Sequence, residues 1–217
     1  MRRMSRLAAL LAASALALAY TPPALAGNPW EELMGRKPRV WTDPEGRFSL
    51  DLPLGWKADT SEPAVPKFSR VDEDSGLAAG VAVEVRTVPA GVKLGHFVSR
   101  VEEEIRGAVR NVAILEQEKL EISGTHGVRR RMTYQEKGHA ELMHEVVQVY
   151  FIVAERAFIV TLETAVGGRG RFWEEFNVMM KGMSAAAPGE EIRPPRPGEP
   201  RKKVRAGEMV NPDAAPY

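Results

Sequence analysis

The side chains best suited to chemistry in this chain are four histidines, scattered carboxylates and several arginines, and their spacing decides which chemistry is open. The stretch "HAELMHE" offers His139, Glu141, His144 and Glu145, the donor types that zinc accepts. On a strand, side chains alternate, so His139, Glu141 and Glu145 share a face and His144 points away. On a helix, positions five apart lie ~140° apart around the axis. The helical zinc motif needs its histidines four apart, which this stretch does not provide. His126 falls in a turn-like "SGTHG" and His96 in a helical pattern. Hydrogen-bonded or solvated histidines are expected, with no metal site and no cofactor. The chain contains no cysteine, and no serine occupies a Gly-x-Ser-x-Gly elbow. Asp72 and Asp74 belong to "VDEDSG", which reads as a loop. No acid, base and stabiliser set assembles, so no catalytic residue is assigned and no enzyme is expected.

Arginine is the more promising chemistry. "GGRGR", from Gly167 to Arg171, precedes a helical pattern, where backbone N–H groups and Arg169 and Arg171 could meet a phosphate or carboxylate. It lacks the Gly-Lys-Ser/Thr ending of a P-loop, and a plain strand-to-helix connector is the competing reading. "RRR" is divided by strand geometry. Arg129 and Arg131 face one way with Thr133, while Arg130 shares the other face with Val128, Met132 and Tyr134. Charges of that kind guard an exposed strand or dock a partner. Arg129, Arg131, Arg169 and Arg171 are therefore the candidate anion or partner contacts.

The elements that position these residues are legible as periodicities. "RFSLDL" alternates, with Phe48, Leu50 and Leu52 on one side. "PKFSRV" and "GVAVEVRTV" also read as strands. After Pro89-Ala90-Gly91 the period becomes helical, with Leu94, Phe97, Val98, Val101, Ile105, Ala108 and Val109 on one stripe. Four strands follow: "AILEQEKLEI", "GVRRRMTYQE", "ELMHEVVQVYFIVA" and "AFIVTLET". The third carries Val147, Val149, Phe151 and Val153 on one face and Tyr150 and Ile152 on the other. A strand apolar on both faces is covered on both faces. A closing helix carries Phe172, Trp173, Phe176, Met179, Met180 and Met183, which read as core filling. Consecutive strands outnumbering helices predict an α+β domain, a largely antiparallel sheet sandwiched by helices.

"DLPLGWK" ends the first of these strands. Pro53 cannot donate to a ladder, Gly55 permits the turn, and Trp56 returns to the sheet as an apolar cover with its indole N–H free for one partner. Phe48, Asp51-Leu52-Pro53, Gly55-Trp56, the Gly124 and Gly127 turn, and the Arg156 hairpin before Phe158 carry a family resemblance. Over Val40 to Ser184 the chain resembles the PsbP-like α/β/α sandwich superfamily, and within it the bacterial periplasmic DcrB-type members. The resemblance implies a mostly non-enzymatic protein that binds or stabilises other proteins. Phe48, Pro53, Gly55 and Trp56 are its structural fingerprint, and it transfers no functional site.

The ends set the compartment. Arg2, Arg3 and Arg6 precede an apolar run from Leu7 to Ala19, and Ala24-Leu25-Ala26 offers a small-x-small exit. Residues 1–26 read as a secretory signal cleaved after Ala26. The run is shorter than the ~20 residues that span a membrane. Residues 27–39, including "NPWEELMG", read as a short helical segment, and 40–184 as the folded domain. From Ala185 to Tyr217 the chain is proline-rich and locally basic, read as a disordered tail. The chain holds 30 basic and 29 acidic residues; residues 1–26 hold three arginines and no acid, so their loss leaves 27 against 29. That balance does not support a nucleic-acid partner. The expected function is an exported accessory or binding protein, periplasmic or secreted, acting on another protein or an envelope component. The alternative is a small-ligand module using a cleft between sheet and helix.

Overall fold

The computed structural model describes residues 38–137, 139–190 and 192, so the signal, most of the short N-terminal segment and the tail beyond 192 lie outside the described residues. The elements run β1 (Arg39–Thr42), β2 (Phe48–Leu52), β3 (Lys57–Asp59), β4 (Lys67–Val71), β5 (Ala78–Thr87), α1 (Leu94–Ala108), β6 (Arg110–Ile122), β7 (Thr125–Glu136), β8 (His139–Val153), β9 (Arg156–Ala165), α2 (Arg169–Lys181) and β10 (Ser184–Ala185). A seven-stranded sheet has the order β3-β4-β5-β9-β8-β7-β6, and every pairing in it is antiparallel. A separate three-stranded sheet has the order β1-β2-β10.

Two cores follow from the two apolar faces of β8. Val147, Val149 and Phe151 join Phe48, Leu50, Trp56, Phe172 and Phe176 in one. Val146 and Tyr150 join Phe97, Val98, Val101 and Ile105 of α1 in the other. The main sheet is thus covered by α1 on one face and by α2 with the small sheet on the other. This is the expected α+β sandwich, with one difference: "RFSLDL" forms the centre of its own small sheet. Its partners β1 and β10 are only four and two residues long, too short to show a period in sequence.

The chain stays packed past Ser184. Ala185 lies opposite Phe48, and Ala186 is buried with its N–H donating to the Arg47 carbonyl at 2.9 Å. Arg156 donates to the carbonyls of Ala186 and Ala187 at 3.2 and 3.1 Å, and the Ile192 N–H donates to the Gly46 carbonyl at 3.0 Å.

Candidate functional site: an arginine and tryptophan face

Strand alternation sends Arg129 and Arg131 to the face of the main sheet that α2 partly covers. The first turn of α2 supplies Arg169, and Trp173 stands one turn later on the same side. The Arg129 guanidinium lies 4.5 Å from the Trp173 ring centroid and that of Arg169 lies 5.2 Å from it. Both are within the range at which a cation is attracted to an indole. Trp173 remains half-buried.

Carboxylates hold these cations in place. Glu118 lies opposite Arg129 and Glu116 opposite Arg131 across the β6–β7 pair. Arg129 pairs with Glu118, and Arg131 reaches Glu116 at 2.5 Å and the buried Glu145 at 2.7 Å. Arg169 shares Glu145 at 3.2 Å, and the other Glu145 oxygen accepts the Gly167 N–H at 3.2 Å. Its hydrogen bonds to the Glu145 and Glu116 carboxylates raise the Arg131 pKa further above its ordinary value. With Val147 and Trp173, the three arginines, Glu116 and Glu118 line a cavity of ≈ 30 Å³. That is room for about two waters, since one needs ~10–15 Å³.

The four expected arginines therefore divide. Arg129, Arg131 and Arg169 converge, and Arg171 does not. Two positions along the helix turn it to another side, where it binds Asp72 at 2.6 Å and Asp74 at 3.2 Å. The guanidinium holds the Asp72 carboxyl down to about 2. Arg171 is a strut between α2 and the β4–β5 turn. Arg130 points to the opposite face, as the alternation requires, and meets Glu102 of α1 at 2.7 Å. Because Arg129, Arg131 and Arg169 already hold carboxylates, an incoming anion must displace one.

"HAELMHE" divides as well. Glu145 faces Arg131, while His144 lies on the other side of the sheet, its Nδ1 2.9 Å from Glu163. The side chains of His139 and Glu141 lie outside the described residues. Among the described residues no group of three or more His, Cys, Asp or Glu could hold a metal. His96 is exposed on α1, and His126 stands in β7 opposite Glu121.

Trp56 is buried at 3% exposure. Its indole N–H donates to Glu175 at 2.7 Å, and Arg70 pairs with the other oxygen of that carboxylate. Burial pushes the Glu175 pKa up. Sequence reasoning missed the part Trp173 plays, although Arg169 and Trp173 at i and i+4 were a visible signal. Nothing local points from Trp173 to Arg129, 44 positions away.

No family model and no curated protein matches this sequence. Solved structures do. The chain is similar to the Ran-binding protein Mog1p of Saccharomyces cerevisiae, with a TM-score of 0.52 at 9% identity, covering 71% of this chain and 98% of that one. It is also similar to cyanobacterial PsbP from Synechocystis, with a TM-score of 0.49 at 13% identity, covering 76% of this chain and 100% of that one. LpqN of Mycobacterium tuberculosis, described as involved in cell envelope biogenesis, matches with a TM-score of 0.47 at 9% identity over 76% of this chain and 100% of that one. At such identities the likeness to Mog1p establishes the fold alone. The α+β sandwich expected from the sequence is the fold the chain adopts, and it is the fold shared with Mog1p. Among the described residues no helix is long and apolar enough to cross a membrane.

Proposed function

We propose that this chain is a non-catalytic exported binding protein that docks another protein of the cell envelope through the face built around Trp173. The observation that carries the reading is the half-buried indole with Arg129 and Arg169 set against it, both guanidiniums pre-positioned by Glu118 and Glu145. Tryptophan and arginine dominate binding energy at protein interfaces, and side chains already held in place lose little entropy on docking. The face is nearly charge-balanced, with three arginines against Glu116, Glu118 and Glu145, which suits a protein surface better than a free anion. The fold shared with Mog1p, a Ran-binding protein, supports a protein ligand. Residues 1–26 support export, in keeping with the DcrB-type members that the sequence resembles. At this face the cavity beside Trp173 has room for waters only, which favours a protein surface over a small ligand there.

Capture from an envelope extract tests the proposal. Trp173→Ala and Arg129→Ala are each expected to cut partner recovery by about thirtyfold, the effect of losing a ~2 kcal/mol hot spot. Arg100→Ala, whose side chain is 82% exposed on α1, serves as the control and leaves recovery unchanged. Full recovery with both variants, or no partner for the unaltered chain, would overturn the reading.

A further inference from the structure

The main sheet has two edges, and they differ in length. At one end of the strand order β3 has three residues. At the other, β6 has 13, with β7 as its neighbouring strand among the described residues. An edge strand presents a row of backbone N–H and C=O groups that can pair with another chain. Register shifts interrupt β6 between Arg110 and Ala113 and between Ile114 and Glu116. Bulges of this kind bend an edge away from a further strand. The helix α1 also lies along this first part, with Arg106 donating to the Val112 carbonyl at 3.4 Å. From Glu116, opposite Arg131, to Ile122, opposite Thr125, the register is unbroken. That stretch is the open edge.

The open edge is continuous with the arginine and tryptophan face. Strand alternation puts Glu116, Glu118 and Leu120 on the Trp173 side of the sheet and Gln117, Lys119 and Glu121 on the α1 side. Glu116 and Glu118 line the cavity beside Trp173, while Gln117 accepts from Nε of Arg130 at 2.6 Å. Just past Ile122, the Ser123 hydroxyl donates to the Met183 carbonyl at 2.9 Å, which fixes the β6–β7 turn. Charge alternates from strand to strand on the Trp173 side. Glu145 on β8 holds Arg131 on β7, which holds Glu116 on β6, and Arg129 on β7 holds Glu118 on β6. Both rows end on a glutamate at the edge. The Glu116 and Glu118 side chains are still 61% and 37% exposed. Opposite charges across a strand pair stabilise it and like charges destabilise it, so the next strand in either row suits a cation.

We infer that the partner of the Trp173 face binds by strand addition, laying an extended segment along Glu116 to Ile122 with lysine or arginine opposite Glu116 and Glu118. Main-chain hydrogen bonds to the edge supply affinity in this mode, and alternate side chains supply specificity. The added strand lies two interstrand spacings, about 10 Å, from Arg129, so its long side chains reach the rim of the face around Trp173. On the α1 side, Lys119 opposes a further cation, so the basic positions are confined to alternate residues. Leu115, exposed at the bulge where the open edge begins, offers an apolar contact at one end. A second copy of this chain fits less well. Aligned antiparallel over the whole open edge, it sets Lys119 opposite Lys119, a like-charge pair. The inference rests on the docking reading for the site and on the sheet order for the binding mode.

A synthetic peptide in which arginine alternates with threonine, titrated into the full chain, tests the inference by amide hydrogen exchange. A glutamate and threonine peptide of the same length is the control. Only every second residue of an edge strand points its N–H outward. At free peptide about ten times its Kd, alternate amides from Glu116 to Ile122 are therefore expected to exchange about tenfold more slowly. Glu116→Gln combined with Glu118→Gln is expected to weaken the arginine peptide by about tenfold, and Arg100→Ala to leave it unchanged. No binding at millimolar arginine peptide, equal binding of the glutamate peptide, or protection without alternation overturns strand addition. Protection of the same amides that grows with protein concentration, without peptide, assigns the edge to a second copy and also overturns it. The two readings fail separately. If Trp173→Ala abolishes partner capture and the peptide leaves β6 unprotected, strand addition falls alone. If Trp173→Ala leaves capture intact and the peptide still protects β6, the docking reading falls and the edge stands as a separate strand-binding site.

Discussion

Trp56 is placed by its neighbours in sequence and kept by residues far from it. Pro53 ends the ladder, Gly55 takes a φ of 86°, and the ring is turned under α2 against Phe172 at 6.2 Å. Glu175 then closes the site, accepting the indole N–H and holding Arg70, which also donates to the Leu54 carbonyl at 3.1 Å. Removing the ring leaves a cavity and leaves the Glu175 carboxylate short of a donor in a buried place. Trp56→Ala is expected to cost ~3–5 kcal/mol in denaturant unfolding, with the m-value unchanged. An unchanged midpoint would show that the ring contributes nothing to the core. The position of Trp56 was legible, since proline, glycine and tryptophan each announce a local constraint. Its partner was not: a glutamate in an otherwise apolar stripe looks like a break in the helix pattern until a donor arrives from 119 positions away.

At the scale of elements, legibility follows length and period. The helix α1 and the strands β6 to β9 are long enough to repeat their pattern, and β8 reveals both cores because both of its faces are apolar. Strands β1, β3 and β10 have four, three and two residues, and their existence depends on what lies opposite. The arginine and tryptophan face is of the second kind. Alternation placed Arg129 and Arg131 together, and helical spacing could have joined Arg169 to Trp173, but only the packing of α2 against β2 and β9 brings the pairs into one site. That packing is fixed where α2 leaves the sheet. Gly182 caps the helix, and a Cβ there would stand 2.4 Å from Cγ of Asp51 on β2. Its φ of -86° suits any residue, so the constraint is space rather than backbone conformation. Gly182→Ala should force α2 and β2 apart at a cost of ~1–3 kcal/mol, the usual penalty of overpacking. Gly170→Ala, with open space around its Cβ position, is the control expected to be neutral or better. Equal melting temperatures for the two variants would show that Asp51 moves aside freely.

For the molecule as a whole, the boundary of the folded unit is set by hydrogen bonds rather than by composition. The proline-rich sequence after Ser184 suggests an end to structure, yet the backbone there closes the small sheet and crosses its β1–β2 turn. Ala185 pairs with Phe48, Ala186 and Ile192 donate to the Arg47 and Gly46 carbonyls, and Arg156 clamps two further carbonyls from the β8–β9 hairpin. Cutting the chain after Ser184 removes these bonds and uncovers Phe48, which is fully buried at the heart of one core. At about 1 kcal/mol net for each hydrogen bond, the four bonds and the lost cover together amount to roughly 3–5 kcal/mol. For a domain of this size that lowers Tm by roughly 6–20 °C, at about 2–4 °C per kcal/mol. Cutting after Ile192 instead removes Arg193 to Tyr217 and none of these bonds, so Tm is expected to stay within about 1 °C. Differential scanning calorimetry of the two truncations beside the full chain makes the comparison. A truncation at Ser184 that melts with the full chain would place the end of the folded unit there; a large loss on cutting after Ile192 would extend the unit into the basic segment.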